Sequence, residues 1–194
     1  MTILRYGNTN TVFIESGLLI DTDYAGTLQR FYHTIKANGI RVSDIKYVLA
    51  THYHPDHIGL ISELLKQGVQ LLLIDIQREY VHYSDRIFSR DGIPYEPIDE
   101  TKAVIISCED SRKFLNGIEI SGEIISTPSH SLDSISVILD NGCCIVGDLE
   151  PIEYLEAYEN NQALQADWKQ IMSYEPKRII YAHANEKNIV RKSI

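Results

Sequence analysis

Four side chains of the types that bind metal ions lie within one short run of this sequence, THYHPDH, which begins at Thr51. They are His52, His54, Asp56 and His57. In an extended backbone, residues i and i+2 face the same way, so His52 and His54 can reach one ion and Asp56 continues the alternation. His57 breaks it where the chain is expected to turn into a helix. Adjacent ligands that point in different directions suit two neighbouring ions, so the run predicts a two-metal site.

Three further candidates, His130, Asp148 and His183, each follow a short strand-like run by two or three residues. The runs are residues 123–127, 143–146 and 177–181. If the carboxyl ends of these strands and of the strand before the 52–57 run share one edge, all seven side chains converge. Burying that many imidazoles and carboxylates without a metal would leave costly unpaired polar groups. The pattern excludes His33 and His82, which we interpret as packed or solvated histidines.

The elements that must position these residues alternate between strands and helices in the first part of the chain. Apolar residues recur at Leu28, Phe31, Tyr32 and Ile35, which is the spacing of one helix face, and Gly39 ends the run. A second helix follows the 52–57 run and ends near Gly68. Strands are expected at residues 11–15, 18–21, 47–50 and 69–74, and the last of these is apolar throughout, as a strand buried on both faces should be.

The later part of the chain returns to strands. They are expected at 118–120, 123–127, 135–139, 143–146 and 177–181, with a helical stretch at about 155–171. The run Asp140-Asn141-Gly142 is typical of a hairpin turn between two of them. Residues 77–113 differ, because aromatic residues stand among charges and two prolines; the first part reads as helical and the rest as loop. This segment is either a solvated connection or a lid or substrate wall.

Composition narrows the class of protein. A chain of 194 residues that is 44% hydrophobic predicts one domain over residues 1–194. A net charge of -9 argues against binding to nucleic acid or to an anionic membrane surface, although it does not exclude a nucleotide or phosphodiester as a small-molecule substrate. Cys108, Cys143 and Cys144 form no C-x-x-C pair and read as reduced cysteines. Together with an N-terminus that lacks a secretory pattern, they favour a cytoplasmic location.

Beyond these local patterns, the sequence resembles the metallo-β-lactamase superfamily in five blocks that occur in the same order along nearly the whole chain. The run from Thr51 matches that superfamily's H-x-H-x-D-H signature. The other four blocks are Gly17-Leu18-Leu19-Ile20-Asp21-Thr22, Ser126-Thr127-Pro128-Ser129-His130-Ser131, Gly147-Asp148 and His183. The chain departs from the pattern at Ser129, Ala182, Ala184 and Asp23, where glycines are common. These changes affect how tightly the loops can turn and leave the ligand set complete.

The resemblance implies an α+β fold, a four-layer αββα sandwich of two mixed β-sheets flanked by helices, with the metals at one edge. By that match, one metal is held by His52, His54 and His130, the other is held by Asp56, His57 and His183, and Asp148 bridges the two. A nitrogen and oxygen ligand set suits two Zn²⁺ ions and also admits Mn²⁺ or iron.

The activity implied is that of a dinuclear-metal-dependent hydrolase, in which a hydroxide bridging the metals attacks a small ester, thioester or lactone. Asp56 is the expected catalytic residue, because its carboxylate would orient the nucleophile and carry a proton to the leaving group. Asp148 and the absent secretory pattern argue against antibiotic hydrolysis and favour the glyoxalase II and lactonase branches. The chain ends soon after His183, so the helical substrate segment of glutathione-thioester hydrolases is expected to be absent.

Three alternatives stay open from the sequence. A phosphodiester is the second choice of substrate. An iron-dependent oxidoreductase can share the fold, although the di-iron relatives usually carry glutamate at the position of His54 and an attached flavin domain. A non-catalytic ligand-binding protein is the third, and the complete ligand set argues against it.

Overall fold

The computed structural model describes residues 1–157 and 159–189. Two compact units divide the chain, Met1–Ser107 and Cys108–Ile194. Each unit contains one mixed β-sheet together with helices. Among the described residues, no helix combines the length and the apolar character that crossing a bilayer requires.

The first unit is built on a six-stranded sheet whose strands lie in chain order. The strands are β1 (Thr2–Arg5), β2 (Asn10–Ile14), β3 (Leu18–Ile20), β4 (Tyr47–Leu49), β5 (Gln70–Ile74) and β6 (Val104–Ile106). Strands β1 to β3 pair antiparallel, and β3 to β6 pair parallel. Parallel neighbours need crossover connections, and these connections carry the helices. The helices are α1 (Leu28–Ala37), α2 (Pro55–Ile58), α3 (Ile61–Leu65) and α4 (Asp85–Arg90), with 3-10 turns at Val42–Asp44, Asp75–Tyr80 and Glu100–Lys102.

The core of this unit forms between the sheet and its helices. The predicted stripe of α1 places Phe31 and Ile35 in one buried cluster with Leu19 of β3 and Val48 of β4. Every residue from Leu71 to Ile74 of β5 is buried, as expected for a central parallel strand with both faces covered. The strand β4, which leads into the 52–57 run, is therefore held by a packed core.

The second unit is built on a five-stranded sheet in the order β11-β10-β9-β8-β7. Its elements are α5 (Cys108–Gly117), β7 (Gly122–Ser126), β8 (Ile135–Leu139), β9 (Cys143–Ile145), a 3-10 turn (Ile152–Tyr154), α6 (Gln162–Ser173), β10 (Arg178–Ile180) and β11 (Lys187–Asn188). The predicted hairpin joins β8 to β9, and Gly142 adopts the positive φ of 89° that its turn requires. Strand β10 pairs parallel to β9, and β7 and β9 both pair antiparallel to β8. The carboxyl ends of β7, β9 and β10 therefore lie at the same edge of the sheet.

Most predicted elements are confirmed, and three details are corrected. The strand expected at 118–120 is wrong: the amides of Ile118 and Ile120 bond to Leu115 O, and Glu119 turns the chain with a φ of 62° after α5. The helical stretch expected from about 155 begins only at Gln162, because the Asn161 side chain caps it by accepting from Leu164 N. The segment 77–113 holds α4 in its first part, as expected, but β6 and the first half of α5 stand where loop was expected. One domain over 1–194 with a lid at 77–113 stays a prediction.

Candidate metal centre

The turn between β4 and α2 gathers three imidazoles. The His52 ring centroid lies 4.4 Å from that of His54 and 4.1 Å from that of His57. His54 keeps an extended backbone, and Pro55 begins the helix at a position that does not need its missing N–H. Ligand atoms of His52 and His54 come within 4.8 Å of each other, as do those of Asp56 and His57. The predicted switch from strand-like alternation to helix thus produces two adjacent ligand pairs.

Asp21 anchors this turn from the end of β3. Its carboxylate accepts the Thr51 N–H at 2.6 Å and the Thr51 hydroxyl at 2.8 Å, and it lies 3.0 Å from His57 Nδ1. Asp21 is 2% exposed and holds a left-handed φ of 57°, which aspartate tolerates better than most residues. With Nδ1 turned to Asp21, the other ring nitrogen of His57 lies 3.9 Å from the Asp56 carboxylate. A carboxylate behind a histidine in this way fixes the ring and its tautomer for metal binding.

The segment 77–113 supports the same turn through hydrogen bonds to its backbone. Gln77 Nε2 donates to Ala50 O at 2.9 Å, and Ser84 Oγ donates to Tyr53 O at 2.6 Å. Both side chains are fully buried. The segment therefore holds the turn between β4 and α2, a role that the sequence did not indicate. The ring of Tyr83 in this segment, 56% exposed, also lies beside that of His54, with centroids 5.6 Å apart and the ring planes tilted by 34°.

In the second unit, His130, Asp148 and His183 meet at the shared carboxyl edge of β7, β9 and β10. The two oxygens of Asp148 serve different neighbours: Oδ1 lies 3.0 Å from His183 Nε2, and Oδ2 lies 3.6 Å from His130 Nε2. A cavity of about 280 Å³ opens over the three side chains, lined also by Pro151 and Tyr181. Backbone bonds join the two later loops, because Ala182 N donates to Gly147 O at 2.9 Å. These three side chains therefore lie together at one edge of the sheet, and their role as metal ligands stays a prediction.

The two histidines outside the pattern lie elsewhere. His33 is exposed on α1. His82 contacts two carboxylates, with Nδ1 2.9 Å from Asp85 and Nε2 3.2 Å from Glu100. Burial alone would lower the pKa of His82, but its contacts with these carboxylates outweigh burial and raise that pKa. His82 is thus an ion-pairing residue of the 77–113 segment.

The chemistry of the donors fits divalent metal ions. All seven candidates offer imidazole nitrogen or carboxylate oxygen, the donors that zinc accepts and that manganese and iron share. Four of the candidates, His52, His54, Asp56 and His57, lie in the first unit, and His130, Asp148 and His183 lie in the second. Asp21 was missed as a site residue, although it stands in the early block that signalled the resemblance.

Comparison with known proteins assigns the family. The family model described as the metallo-beta-lactamase superfamily matches residues 4–183. The chain therefore belongs to the metallo-β-lactamase superfamily.

Individual relatives agree with that assignment. The chain is 25% identical to "Beta-lactamase-like protein 2 homolog" of Drosophila melanogaster over 91% of its own length and 59% of the relative's. It is 29% identical to "Probable metallo-hydrolase MJ0888" of Methanocaldococcus jannaschii, over 73% of this chain and 66% of the relative. The chain thus spans about three fifths to two thirds of these relatives' lengths.

Solved structures confirm the predicted fold. The crystal structure of TTHA1623 in a di-iron-bound form superposes with a TM-score of 0.70 at 17% identity, covering 96% of this chain and 93% of that one. The expectation of an α+β fold with two mixed sheets and flanking helices, the metallo-β-lactamase fold, is confirmed.

Proposed function

We propose that this chain is a hydrolase that depends on two divalent metal ions and cleaves a small ester, thioester or lactone. The seven predicted ligands would act together: His52, His54 and His130 would hold one ion, Asp56, His57 and His183 would hold the other, and Asp148 would serve both. The substrate is a small molecule. Zinc as the metal and a cytoplasmic location stay predictions.

The observation that carries the proposal is the geometry of Asp148. Its two carboxylate oxygens are directed to two different histidines, at 3.0 Å and 3.6 Å. A carboxylate with a separate histidine beside each oxygen is well placed to bridge two ions, because an imidazole would stand next to the carboxylate at each of them. The predicted ligands of the 52–57 run also fall into two pairs, His52 with His54 and Asp56 with His57.

The chain's own residues define what the site does beyond holding metal. When bound, two divalent ions supply Lewis acidity and lower the pKa of a water molecule from 15.7 to about 7. Asp56 is partly exposed and lies beside His57, so its carboxylate can accept a proton from the attacking water and return it to the leaving group. Asp21 keeps the His57 ring oriented throughout.

The proposal is tested by removing and restoring metal. Chelation should abolish turnover of lactone, thioester and ester substrates, and Zn²⁺ or Mn²⁺ should restore it. Metal analysis should find two ions per chain. Asp148→Asn should reduce that number and the activity together, because an amide has only one oxygen to coordinate. His33→Ala, which changes an exposed histidine on α1, is the matched control and should change neither.

Other outcomes separate the alternatives. Hydrolysis of bis(p-nitrophenyl) phosphate in preference to the carbonyl substrates would favour a phosphodiesterase. Iron and visible absorbance in protein expressed without added metal would favour the oxidoreductase. The metal analysis should include iron, because the similar TTHA1623 structure is in a di-iron-bound form. Turnover that survives complete removal of metal would refute the proposal. Two bound ions with no turnover of any substrate would favour a binding protein.

A further inference from the structure

Helix α6 brings two adjacent buried side chains, Asp167 and Trp168, against the loops that carry the second unit's proposed ligands. Asp167 is 4% exposed and Trp168 is 1% exposed. No chemical motif marks either residue in the sequence, where Trp168 reads as one apolar position of a helix. Their contacts, however, reach beyond the hydrophobic core of this unit to polar backbone atoms.

Asp167 holds the loop of His130. Its Oδ2 accepts the N–H of Ser129 at 2.8 Å. Ser129 immediately precedes His130. Burial raises the pKa of the Asp167 carboxyl, against the lowering effect of its contacts with Ser129. Burying a carboxylate costs free energy unless it is hydrogen-bonded, so the bond from Ser129 N–H offsets the cost of placing Asp167 in this buried position.

Trp168 holds the loop of Asp148. Its indole Nε1–H donates to Glu150 O at 2.9 Å, two residues beyond Asp148. Its ring also packs against Tyr181, with centroids 6.2 Å apart, and Tyr181 lies two residues before His183. The Tyr181 hydroxyl in turn accepts the N–H of Ile152 at 3.4 Å, which ties the two loops together.

We propose that Asp167 and Trp168 are positioning residues that set the relative placement of His130, Asp148 and His183 for metal binding. This inference rests on the proposed function, because it assumes that these three residues bind metal. One rigid helix carries both side chains, so the loops of His130 and Asp148 are fixed to a common support. Ligands held in place before the ion arrives bind it more tightly, because the ordering has been completed during folding.

Three substitutions separate positioning from general packing. Trp168→Phe keeps an aromatic ring in the core and removes the indole donor together with part of the buried ring, and the packing control below accounts for the lost volume. Asp167→Ala removes the acceptor for Ser129 N–H, whereas Asp167→Asn keeps a side-chain oxygen in its place. Ile171→Val on the same helix is the control, since Ile171 is fully buried in the same cluster and contacts the core without a polar bond to either loop.

The readouts are metal affinity, measured by competition with a chromogenic chelator, and the visible spectrum of the Co²⁺-loaded protein. Trp168→Phe and Asp167→Ala should each weaken metal binding by about 10- to 100-fold and change the Co²⁺ spectrum. Asp167→Asn should return affinity close to that of the wild type. Ile171→Val should lower the melting temperature of the metal-free protein and leave affinity and spectrum unchanged.

A measurement on the metal-free protein keeps this inference distinct from the proposed function. Hydrogen exchange of the Ser129 amide should accelerate in Asp167→Ala, and should stay slow in Asp167→Asn and Ile171→Val. Wild-type affinity in both Trp168→Phe and Asp167→Ala, or losses no greater than that of Ile171→Val, would overturn the inference while leaving the metal site intact. Failure of the wild-type protein to bind metal at all would overturn both.

Discussion

Replacing Asp21 with asparagine should weaken metal binding without removing a metal ligand. Asp21 accepts from Thr51 N at 2.6 Å and from Thr51 Oγ1 at 2.8 Å, and its Oδ2 lies 3.0 Å from His57 Nδ1. Asparagine has nearly the same shape and tolerates the left-handed φ of this position. It keeps one oxygen for the Thr51 amide and turns an NH₂ group toward the hydroxyl and the imidazole.

That NH₂ group reverses the proton arrangement at His57. The ring nitrogen Nδ1 must now accept a hydrogen bond, so the neutral ring carries its proton on Nε2. A protonated Nε2 has no lone pair for a metal ion, and restoring the productive tautomer would leave two buried donors facing each other. Loss of such an outer partner typically lowers metal affinity by about 10- to 100-fold.

The same substitution should destabilise the metal-free protein moderately. Three charge-assisted contacts become neutral or are lost, at about 1 kcal/mol each, so the free energy of unfolding should fall by about 2–3 kcal/mol. For a chain of this size, each kcal/mol lowers the melting temperature by about 2–4 °C. Asp21→Ala should cost more, because all three contacts disappear and alanine disfavours the left-handed φ.

The assay combines thermal unfolding of the metal-free protein with a chelator competition that measures zinc affinity. Asp91→Asn is the matched control, since Asp91 pairs with Arg90 on the surface, where ion pairs contribute little. If Asp21→Asn bound zinc as tightly as the wild type while losing stability, Asp21 would be a structural residue only, and the argument from the His57 tautomer would be refuted.

Two further predictions concern titrating groups outside the site. The pKa of His82 is raised in the folded protein, so its ion pairs should stabilise the fold most below the unfolded pKa of about 6.5. This stabilisation should be lost as pH rises through the folded pKa. A melting-temperature difference between wild type and His82→Ala that did not shrink with rising pH would contradict this. Burial raises the pKa of Cys143 to about 11 and that of Cys144 to about 12, so at pH 8 a thiol reagent should label Cys108 first and the buried pair only after unfolding. Equal labelling rates for all three thiols would show that β9 opens readily.

The ligand candidates could be predicted from the sequence because metal binding needs particular side chains at short spacings. His52, His54, Asp56 and His57 lie within one turn, and their alternation follows from local backbone geometry alone. The position of His130, Asp148 and His183 after strands is also local information. Their convergence could be anticipated because strands that run in the same direction end at the same edge of a sheet.

Only the tertiary structure could assign the partners of these ligands. Asp21 meets Thr51, 30 positions further along the chain, and Asp167 meets Ser129, 38 positions before it. Gln77 and Ser84 stand in a segment whose composition indicated a connection or lid, yet their side chains hold the ligand turn. A buried hydrogen bond between residues far apart in the sequence depends on how separate elements pack, and spacing along the sequence does not predict which residues will meet. The sequence by itself therefore determined which side chains are candidate metal ligands, whereas packing decided which residues orient them.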